Sequence, residues 1–316
     1  MTLQTLTIGR ANLEEFAATL MELAEKDSNI LAVTSDSRGS GKLGSYADKF
    51  PEQIVEVGIA EQNLVGVSAG LTSTGKNVFA VSPACFLTAR SLEQIKNDVA
   101  YSNQPVTLVG ISAGVSYGAL GSTHHSTHDI AVLRAIPNID IVVPADNFET
   151  REAILAASKS KKPVYLKFGK KAMPNLPRLE KKYEIGKAST ICEGDDVAFI
   201  ACGEAVAPAY EAALQLEARG IKAEVISMHT VSPLDQEIIK KVAKKCRAII
   251  TVEEHSIRGG LGEACASLLM QEQLFVPFKI IGIKYEDTVT GSQGDIFKHY
   301  GITGDGLVET ALSLIK

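Results

Sequence analysis

The sequence alternates short apolar runs with longer amphipathic ones, and this alternation constrains the fold more than any other feature. Continuous apolar runs rich in β-branched residues are typical of strands buried on both faces of a sheet. In order they are "NILAVTSD", "QIVEVG", "NVFAVS", "PVTLVGIS", "IDIVVPA" and "PVYLKF". Helical segments lie between them, among them "ANLEEFAATLMELAEKD", "SLEQIKNDVAYSN" and "NFETREAILAASKS". The pattern predicts a doubly wound α/β domain with a parallel sheet.

A proline-rich segment divides the chain. It reads "KKAMPNLPRLEKKYEIGKAST", which indicates a linker or an excursion at the edge of a sheet. Beyond it the alternation resumes, from the apolar run "DVAFIAC" to the final helix "GDGLVETALSLIK". We therefore predict two α/β domains with parallel or mixed sheets, one over residues 1–180 and a smaller one over residues 190–316.

Composition and charge exclude several classes of partner. The 316 residues are 45% hydrophobic, and acidic and basic residues are mixed along the chain to a formal net charge of −5. A basic stripe that could neutralise nucleic acid or an anionic membrane is absent from the sequence. The chain also lacks the roughly 18 uninterrupted apolar residues of a membrane span. We expect a cytoplasmic protein with neither nucleic acid nor a membrane as its partner.

The cysteines and two glycine motifs give no cofactor assignment by themselves. The five cysteines are widely spaced and odd in number, which fits neither a disulfide framework nor a zinc site, so we predict buried thiols. Neither "CGEAVA" nor "SYGALGS" has the spacing of a dinucleotide-binding fingerprint. The "GDG" at 304–306 lies close to the end of the sequence, and we interpret it as a turn whose Asp305 caps the final helix.

The segment "THHSTHD" concentrates three histidines and an aspartate, and it admits three interpretations. On a helix His124 and His128 would share a face, as metal ligands often do, although no distant motif completes a metal site. The imidazoles could instead fix the turn before the helix "DIAVLRAI" by hydrogen bonding. The third interpretation is catalytic, because the preceding "GVSYGALGS" is an open loop after a strand, where parallel sheets carry active sites. A neutral histidine there can transfer a proton near pH 7.

Glu61 follows the apolar run "QIVEVG", and the next charged residue is Lys76. A surface helix normally distributes its charges along one face, so this single carboxylate indicates a specific role. Since Glu61 and the loop before the histidines both follow strands, we expect them at the same edge of the sheet.

Several separated motifs resemble the thiamine-diphosphate-dependent transketolase family. They are "VEVGIAEQNLVGVSAGL", "FLTARSLEQIKNDVAYSNQPV", "GSTHHSTHDIAVLRAIPNIDIVVPAD" and "PVYLKFGK", with "RGGLGEA" in the second half. The resemblance covers nearly the whole chain and implies a pyrimidine-binding domain followed by the transketolase C-terminal domain. The family's diphosphate-binding domain, with its GDG motif followed by asparagine, is not encoded in these residues. The chain therefore resembles the C-terminal subunit of a split transketolase.

This resemblance implies cofactor and catalytic roles for four residues. Glu61 matches the family glutamate that hydrogen-bonds the cofactor's aminopyrimidine and so promotes formation of the thiazolium carbanion. Such chemistry needs a carboxyl group that is shielded from water and exchanges a proton readily. Phe86 matches the aromatic residue that packs on the pyrimidine, and Asp36 matches an aspartate at the pyrimidine edge. His124 matches the family histidine that acts near the substrate hydroxyls.

Substrate contacts are implied for Ser40, Ser112, His124 and Lys170. Ser112 stands where full-length transketolases usually carry a histidine. Lys170 stands where an arginine commonly holds the sugar phosphate, and a lysine binds phosphate or sulfonate as a point charge without the bidentate fork. Leu120 stands where an aspartate usually contacts a substrate hydroxyl, so hydroxyl recognition is expected to differ.

The helix opened by Glu61, predicted over residues 60–73, is rich in small residues that include Gly66 and Gly70. Glycine inside a helix costs roughly 1 kcal/mol relative to alanine, and close approach of another helix would offset that cost. The family packs this region at a subunit interface. Its small residues therefore predict a contact with another polypeptide.

The resemblance also implies a reaction and a partner. We expect transfer of a two-carbon ketol unit from a ketose to an aldose, with thiamine diphosphate shared between this chain and an N-terminal transketolase subunit. That subunit would carry the diphosphate-binding domain with its Mg²⁺ or Ca²⁺, and the substrate would be a sugar phosphate or a related anionic sugar. We expect a heterotetramer with two copies of each chain, or a homodimer of this chain as the fallback.

Alternatives remain open inside and outside this cofactor class. A deoxyxylulose-phosphate-synthase-like chain and the β-type chain of a 2-oxo acid dehydrogenase share the architecture, although "LRAIPN" after the histidines favours transketolase. A non-catalytic scaffold subunit would keep the fold and lose the chemistry, but Glu61 and His124 are both present.

Overall fold

The computed structural model describes residues 6–286 and 289–315. In the first half of the chain most strands are followed by helices, as the alternation predicts. A π-helical segment, Ile95–Tyr101, continues from the fifth helix. The elements are β1 (Thr7–Ala11), α1 (Asn12–Ala24), β2 (Ile30–Thr34), α2 (Gly44–Lys49), β3 (Ile54–Glu56), α3 (Glu61–Ser73), β4 (Asn77–Pro83), α4 (Ala84–Arg90), α5 (Leu92–Gln94), β5 (Thr107–Ile111), α6 (Asp129–Arg134), β6 (Asp140–Val142), α7 (Asn147–Ala157), β7 (Val164–Lys167) and β8 (Ala172–Asn175).

The second half repeats the alternation with shorter connections. Its elements are β9 (Ser189–Cys192), β10 (Val197–Ala201), α8 (Val206–Glu217), β11 (Ala223–Ser227), β12 (Thr230–Ser232), α9 (Gln236–Lys245), β13 (Ala248–Ser256), α10 (Leu261–Gln271), β14 (Phe278–Ile283), α11 (Gln293–Tyr300) and α12 (Gly304–Leu314). The proline-rich segment contains more than a linker, because its β8 pairs antiparallel with β1 in a small separate sheet.

The first large sheet has seven strands in the order β12-β6-β7-β5-β4-β2-β3. Its neighbouring strands pair in parallel except at β12, which comes from the second half of the chain and pairs antiparallel with β6. The parallel sheet predicted from the sequence is therefore confirmed. Because the strands run in one direction, the carboxyl ends of β2, β3, β4, β5 and β7 lie at one edge.

The second large sheet has five strands in the order β14-β13-β10-β11-β9, and only its edge strand β9 is antiparallel. Two α/β domains with mixed sheets are thus present, as predicted. The division at residues 180–190 stays a prediction, and β12 joins the first sheet although it lies in the second predicted domain.

Burial on both faces explains the continuous apolar runs of the central strands. Every residue of β2, β5 and β10 is buried. Side chains alternate along β4, so Phe79 and Val81 pack with α1 and α7, whereas Val78 and Ala80 pack in the cluster that includes α3 and α4. Each fully buried large apolar side chain of this kind contributes about 1.5–3 kcal/mol to stability. Helices on both faces therefore fix the sheet and the loops at its edge.

The final helix is capped by a different residue from the one predicted. The Thr303 hydroxyl accepts the N–H of Gly306 at 3.2 Å, whereas the Asp305 carboxylate accepts an N–H of Gln215 at 2.9 Å. The prediction that Asp305 caps α12 is therefore wrong. Threonine is itself a preferred capping residue, and it stands directly before the motif.

All five cysteines are free and buried, as predicted: Cys85, Cys192, Cys202, Cys246 and Cys265. Within residues 6–286 and 289–315, no helix has the length and apolar character needed to cross a membrane.

Candidate functional site

Loops after five parallel strands bring most of the predicted site residues to one edge of the first sheet. Asp36 follows β2, Glu61 follows β3, Phe86 follows β4, Ser112 follows β5 and Lys170 follows β7. In open parallel sheets, ligands bind outside the carboxyl ends of the strands. This edge is therefore the candidate active site.

Glu61 is the first residue of α3, and only 4% of its surface is exposed. Its Oε1 accepts a hydrogen bond from Nη1 of Arg90 at 2.8 Å. The positive end of the α3 dipole also favours a carboxylate at this position. The expected shielding of Glu61 from water is present, but its surroundings are not uncharged, because Arg90 at the end of α4 supplies a guanidinium group.

The same guanidinium covers the ring of Phe86. The Cζ of Arg90 lies 4.1 Å from the centroid of the Phe86 ring, and a partly exposed cation–π contact of this kind contributes about 0.5–1 kcal/mol. Arg90 thus contacts both Glu61 and Phe86, the two residues that the family resemblance implies contact the pyrimidine.

His124 also contacts Phe86. Its ring lies edge-on to Phe86, with centroids 5.3 Å apart, and edge-on to Tyr117, with centroids 5.1 Å apart. The Nδ1 of His124 lies 2.9 Å from the hydroxyl of Thr123. Lys170 completes the row, since its Nζ lies 4.6 Å from the centroid of the Tyr117 ring.

We call this set of contacting side chains the edge row, and its members in order are Glu61, Arg90, Phe86, His124, Tyr117 and Lys170. It joins a buried carboxylate at one end to an exposed cation at the other. Sequence reasoning missed Arg90 and Tyr117. An aromatic residue among the glycines of "GVSYGALGS" was a usable signal for Tyr117, whereas the local pattern around Arg90 gave none.

Ser112 is the first residue after β5. It is fully buried and has a φ of 52°. Burial raises the pKa of Tyr117, further along the same loop. Tyr117 is therefore a neutral phenol near pH 7, able to donate a hydrogen bond.

Asp36, Ser40 and Leu120 are outside the edge row. The N–H of Asp36 donates to a carboxylate oxygen of Glu56 at 2.7 Å, and Ser40 is exposed further along the same loop. Leu120 is 56% exposed in the 3-10 turn Gly118–Thr123. These three residues therefore surround the edge without joining its contacts.

The other two histidines of the segment "THHSTHD" have structural positions. His125 is buried with Nε2 2.9 Å from the carbonyl oxygen of Gly118, which is the loop hydrogen bonding considered from the sequence. His124 and His128 do not share a helical face, so that premise of the metal interpretation is wrong: His124 ends a 3-10 turn and His128 precedes α6. In the described ranges no group of three or more His, Cys, Asp or Glu is arranged to hold a metal ion.

Comparisons with known proteins agree with the two halves of the fold. Residues 10–175 match the family model of the transketolase pyrimidine binding domain. Residues 186–307 match the model of the transketolase C-terminal domain.

Relatives that match this chain over almost their whole length are transketolase subunits. The chain is 48% identical to a subunit of the apulose-4-phosphate transketolase of Phocaeicola vulgatus, over 96% of this chain and 97% of that protein. It is 33% identical to the 6-deoxy-6-sulfo-D-fructose transketolase subunit SqwH of Clostridium sp., over 92% of this chain and 90% of that protein. A solved split-gene transketolase, an inactive β4 tetramer, is 34% identical and superposes with a TM-score of 0.86 over 97% of this chain and 98% of the other.

These relatives do not favour the synthase-like and dehydrogenase alternatives considered from the sequence. The chain belongs to the transketolase family and is a transferase subunit that corresponds to the C-terminal part of a split, two-chain transketolase.

Proposed function

We propose that this chain supplies the pyrimidine half of the active site in a two-chain transketolase that moves a two-carbon ketol unit from a ketose phosphate to an aldose. Thiamine diphosphate, on which the family depends, supplies the nucleophilic carbon and the electron sink when it is bound. The edge row carries this proposal, because it joins a carboxylate and an aromatic ring at one end to a cation at the other within one continuous set of contacts.

The residues present fit the pyrimidine end of the cofactor. Glu61 offers a shielded carboxyl group for a ring nitrogen, and the half-buried Phe86 offers an aromatic face. Arg90 covers that face in the free chain, so binding requires it to turn outward, which its 48% exposed side chain allows. Glu61 would then hold the proton that is exchanged at its carboxyl group. Asp36, in the loop after β2, would lie at the edge of the pyrimidine ring.

The diphosphate end is assigned to the partner. An open pocket of about 530 Å³ lies beside Glu61, with Ile59, Gln62 and Arg90 among its lining residues. Ile59 is 74% exposed at the rim of this pocket. We propose that the N-terminal transketolase subunit closes this pocket and holds the diphosphate with its Mg²⁺ or Ca²⁺.

The other end of the edge row would bind the substrate. His124 would act at the hydroxyls next to the reacting carbon, with Ser112 and Ser40 as further contacts, and Lys170 would bind the terminal anionic group. The preferred donor is a ketose phosphate of the apulose 4-phosphate kind, because the relative named for that substrate is 48% identical to this chain. A sulfonated ketose is the second candidate, since the relative named for a sulfonated sugar is 33% identical and lysine binds either anion.

The helix α3 supports an assembly contact. A Cβ added at Gly70 would meet nothing within 4 Å, and one at Gly66 would meet only Asp98, with an oxygen at 3.9 Å. These glycines therefore destabilise the helix without serving the chain's own packing. We propose a cytoplasmic heterotetramer of two copies of this chain and two of the N-terminal subunit, with a homodimer of this chain as the fallback.

Reconstitution tests the function. The chain is purified alone and together with the N-terminal subunit, and both samples are assayed with thiamine diphosphate, Mg²⁺ and a panel of phosphorylated and sulfonated ketoses. We expect ketol transfer only in the mixture, saturating at equal amounts of the two chains, with the ketose phosphate of the apulose 4-phosphate kind as the best donor. Transfer by this chain alone, or a mixture that forms a stable complex without transfer to any acceptor, would overturn the proposal.

A further inference from the structure

The loop over residues 112–124, which we call the histidine loop, is held by the C-terminal half of the chain. The N–H of Val115 donates to Oε1 of Glu254 at 2.8 Å, although the two residues are 139 positions apart. Glu254 reaches the loop through Gly114, where an added Cβ would lie 2.3 Å from the carboxyl carbon of Glu254. Gly114 also has a φ of 60°, which disfavours other residues. The backbone of the loop is thus shaped to admit this carboxyl group.

A second contact with the C-terminal half lies further along the loop. A Cβ at Gly118 would lie 2.9 Å from the carbonyl oxygen of Gly291, just before α11. Beyond the loop, the N–H of Ser256 donates to the carbonyl oxygen of Thr127 at 2.9 Å. The segment that carries Tyr117 and His124 is therefore supported on one side by β13 and the start of α11.

The side-chain amide of Gln293 bridges Glu254 and a second acid, Glu204. Nε2 of Gln293 donates to Oε1 of Glu254 at 2.9 Å and to Oε2 of Glu204 at 2.6 Å. Glu204 presses on the loop that leads to Lys170, since a Cβ at Gly169 would lie 1.6 Å from its Oε1. Two carboxyl groups bridged by one buried amide cannot both ionise without strong repulsion, so the pair retains a proton.

The charged groups around this pair do not neutralise it. Lys167 lies 3.5 Å from the backbone oxygen of Glu254, but its ammonium forms a buried ion pair with Asp129 at 2.8 Å. His255 lies on the far side of that pair, 3.8 Å from Asp129, and burial lowers its pKa to about 4, so it is neutral near pH 7. Lys171 acts on Glu204 from the exposed loop after β7.

The remaining acids near the pair are engaged elsewhere. Glu253 accepts the N–H groups of Leu261 and Gly262, although burial raises its pKa to about 7, and Asp295 caps α11 together with Ser292. Burial raises the pKa of Glu204 to about 7, and burial together with repulsion from Glu204 raises that of Glu254 to about 8. The pair therefore changes its charge in the range where an enzyme works.

We infer that Glu254 is a positioning residue: paired with Glu204 through Gln293, it holds the histidine loop in place while the pair keeps a proton. When both carboxyl groups ionise, their mutual repulsion displaces Glu254 and releases the loop. The inference rests on the proposed function for its effect on ketol transfer, through Tyr117 and His124. It assigns to the C-terminal domain the task of setting the geometry of the site at the edge of the first sheet.

Hydrogen exchange of the full-length chain tests whether Glu254 holds the histidine loop, and it does not require a ketol-transfer assay. Glu254→Gln keeps an oxygen for Val115 but cannot ionise, Glu254→Ala removes the contact, and Glu211→Gln is the matched control, because Glu211 lies on α8 and burial also raises its pKa. We expect protection factors over residues 114–124 to fall about tenfold between roughly pH 6 and pH 9 in the wild type and the control. Glu254→Gln should keep its protection, and Glu254→Ala should lack it at both pH values. A loop that stays protected in Glu254→Ala, or a Glu254→Gln profile that follows the wild type, would overturn the inference.

The assembled enzyme gives the second readout. We expect Glu254→Ala to lower kcat by about 10–100-fold, because a displacement of the catalytic geometry by about 1 Å can cost on the order of 100-fold. Glu254→Gln should restore most of the activity and extend the alkaline limb of the pH profile by about one unit or more. Parallel losses in both variants at every pH would show a merely structural residue and contradict the inference. If wild-type chains transferred no ketol unit, the proposed function would fail while the exchange experiment still decided the role of Glu254.

Discussion

The guanidinium of Arg90 holds the carboxylate of Glu61, with Nη1 2.8 Å from Oε1, and at the same time covers the ring of Phe86. One side chain of the free subunit thus occupies both groups proposed to bind the aminopyrimidine. Arg90 stabilises an otherwise uncompensated buried carboxylate until a ligand replaces it, and its exposed position lets it leave.

Removing Arg90 should therefore affect the free chain through Glu61. We expect Arg90→Ala to lower the free energy of unfolding by about 0.5–1 kcal/mol, a value reduced by the half-exposed guanidinium. The loss should shrink in a Glu61→Gln background, which urea unfolding of the four chains of a double-mutant cycle would measure. Arg258→Ala is the matched control, since Arg258 stacks on Tyr285 at 4.0 Å. Additive effects of Arg90→Ala and Glu61→Gln would show that the contact contributes nothing.

The chain alone should bind thiamine diphosphate poorly, because the pocket beside Glu61 is open and the diphosphate ligands are assigned to the partner. Titration calorimetry with Mg²⁺ present should detect weak binding to this chain and tight binding to the reconstituted pair. Tight, metal-dependent binding to the isolated chain would contradict the proposed sharing of the cofactor.

Gly66→Leu tests the assembly face of α3. The chain has room for a Cβ at this position, and leucine is a better helix former than glycine, so the isolated chain should be as stable as the wild type or slightly more stable. Assembly with the N-terminal subunit should weaken, because the larger side chain overfills a close contact. Gly44→Leu, at an exposed glycine of α2, is the control. An unchanged sedimentation profile of the Gly66→Leu mixture would place the subunit contact elsewhere.

The ion pair of Lys167 and Asp129 is a buried polar contact of the first domain. Both side chains are buried, and the hydroxyl of Tyr165 also donates to Asp129 at 2.8 Å. Burial alone raises the pKa of Asp129, but Lys167 and His255 hold it below its usual value. Asp129 therefore stabilises the fold above about pH 4 and loses this effect as the pH falls through its lowered pKa.

Lys167→Met would leave Asp129 buried without its cation. We expect a loss of about 3–5 kcal/mol in the free energy of unfolding near pH 7, measured by urea denaturation. Lys162→Met is the matched control, because Lys162 pairs with Asp140 at the same 2.8 Å but is half exposed, and its loss should be within about 1 kcal/mol. Equal effects of the two substitutions would show that burial of the pair is energetically unimportant.

The sequence predicted most of the central strands and helices, because strands buried on both faces need continuous apolar runs and the helices between them need an apolar stripe. It placed Glu61 and the loop before the histidines after strands of one parallel sheet, which is enough to bring them to one edge. It did not predict Arg90 beside Glu61, since that contact depends on how α3 and α4 pack and leaves no local pattern.

The local sequence pattern also did not predict the contacts between the two halves of the chain. The two acids in "TVEEHS" at the end of a buried strand were a signal that charged groups enter the interior, yet the contact of Glu254 with Val115 is fixed only by docking of the two halves. The capping of the final helix by Thr303 was available from the sequence and was missed because the adjacent Asp305 is an equally good capping residue.

Exchange of the thiazolium proton of thiamine diphosphate in the assembled enzyme tests the role of Glu61 most directly. Glu61→Gln keeps the size of the side chain but cannot exchange a proton with the ring, so the fold and assembly should persist. NMR-monitored deuterium exchange should then be about 100-fold slower or more in Glu61→Gln than in the wild type, with ketol transfer lost in parallel. Exchange at the wild-type rate in a correctly assembled Glu61→Gln enzyme would contradict the assignment of this residue and of the site built around it.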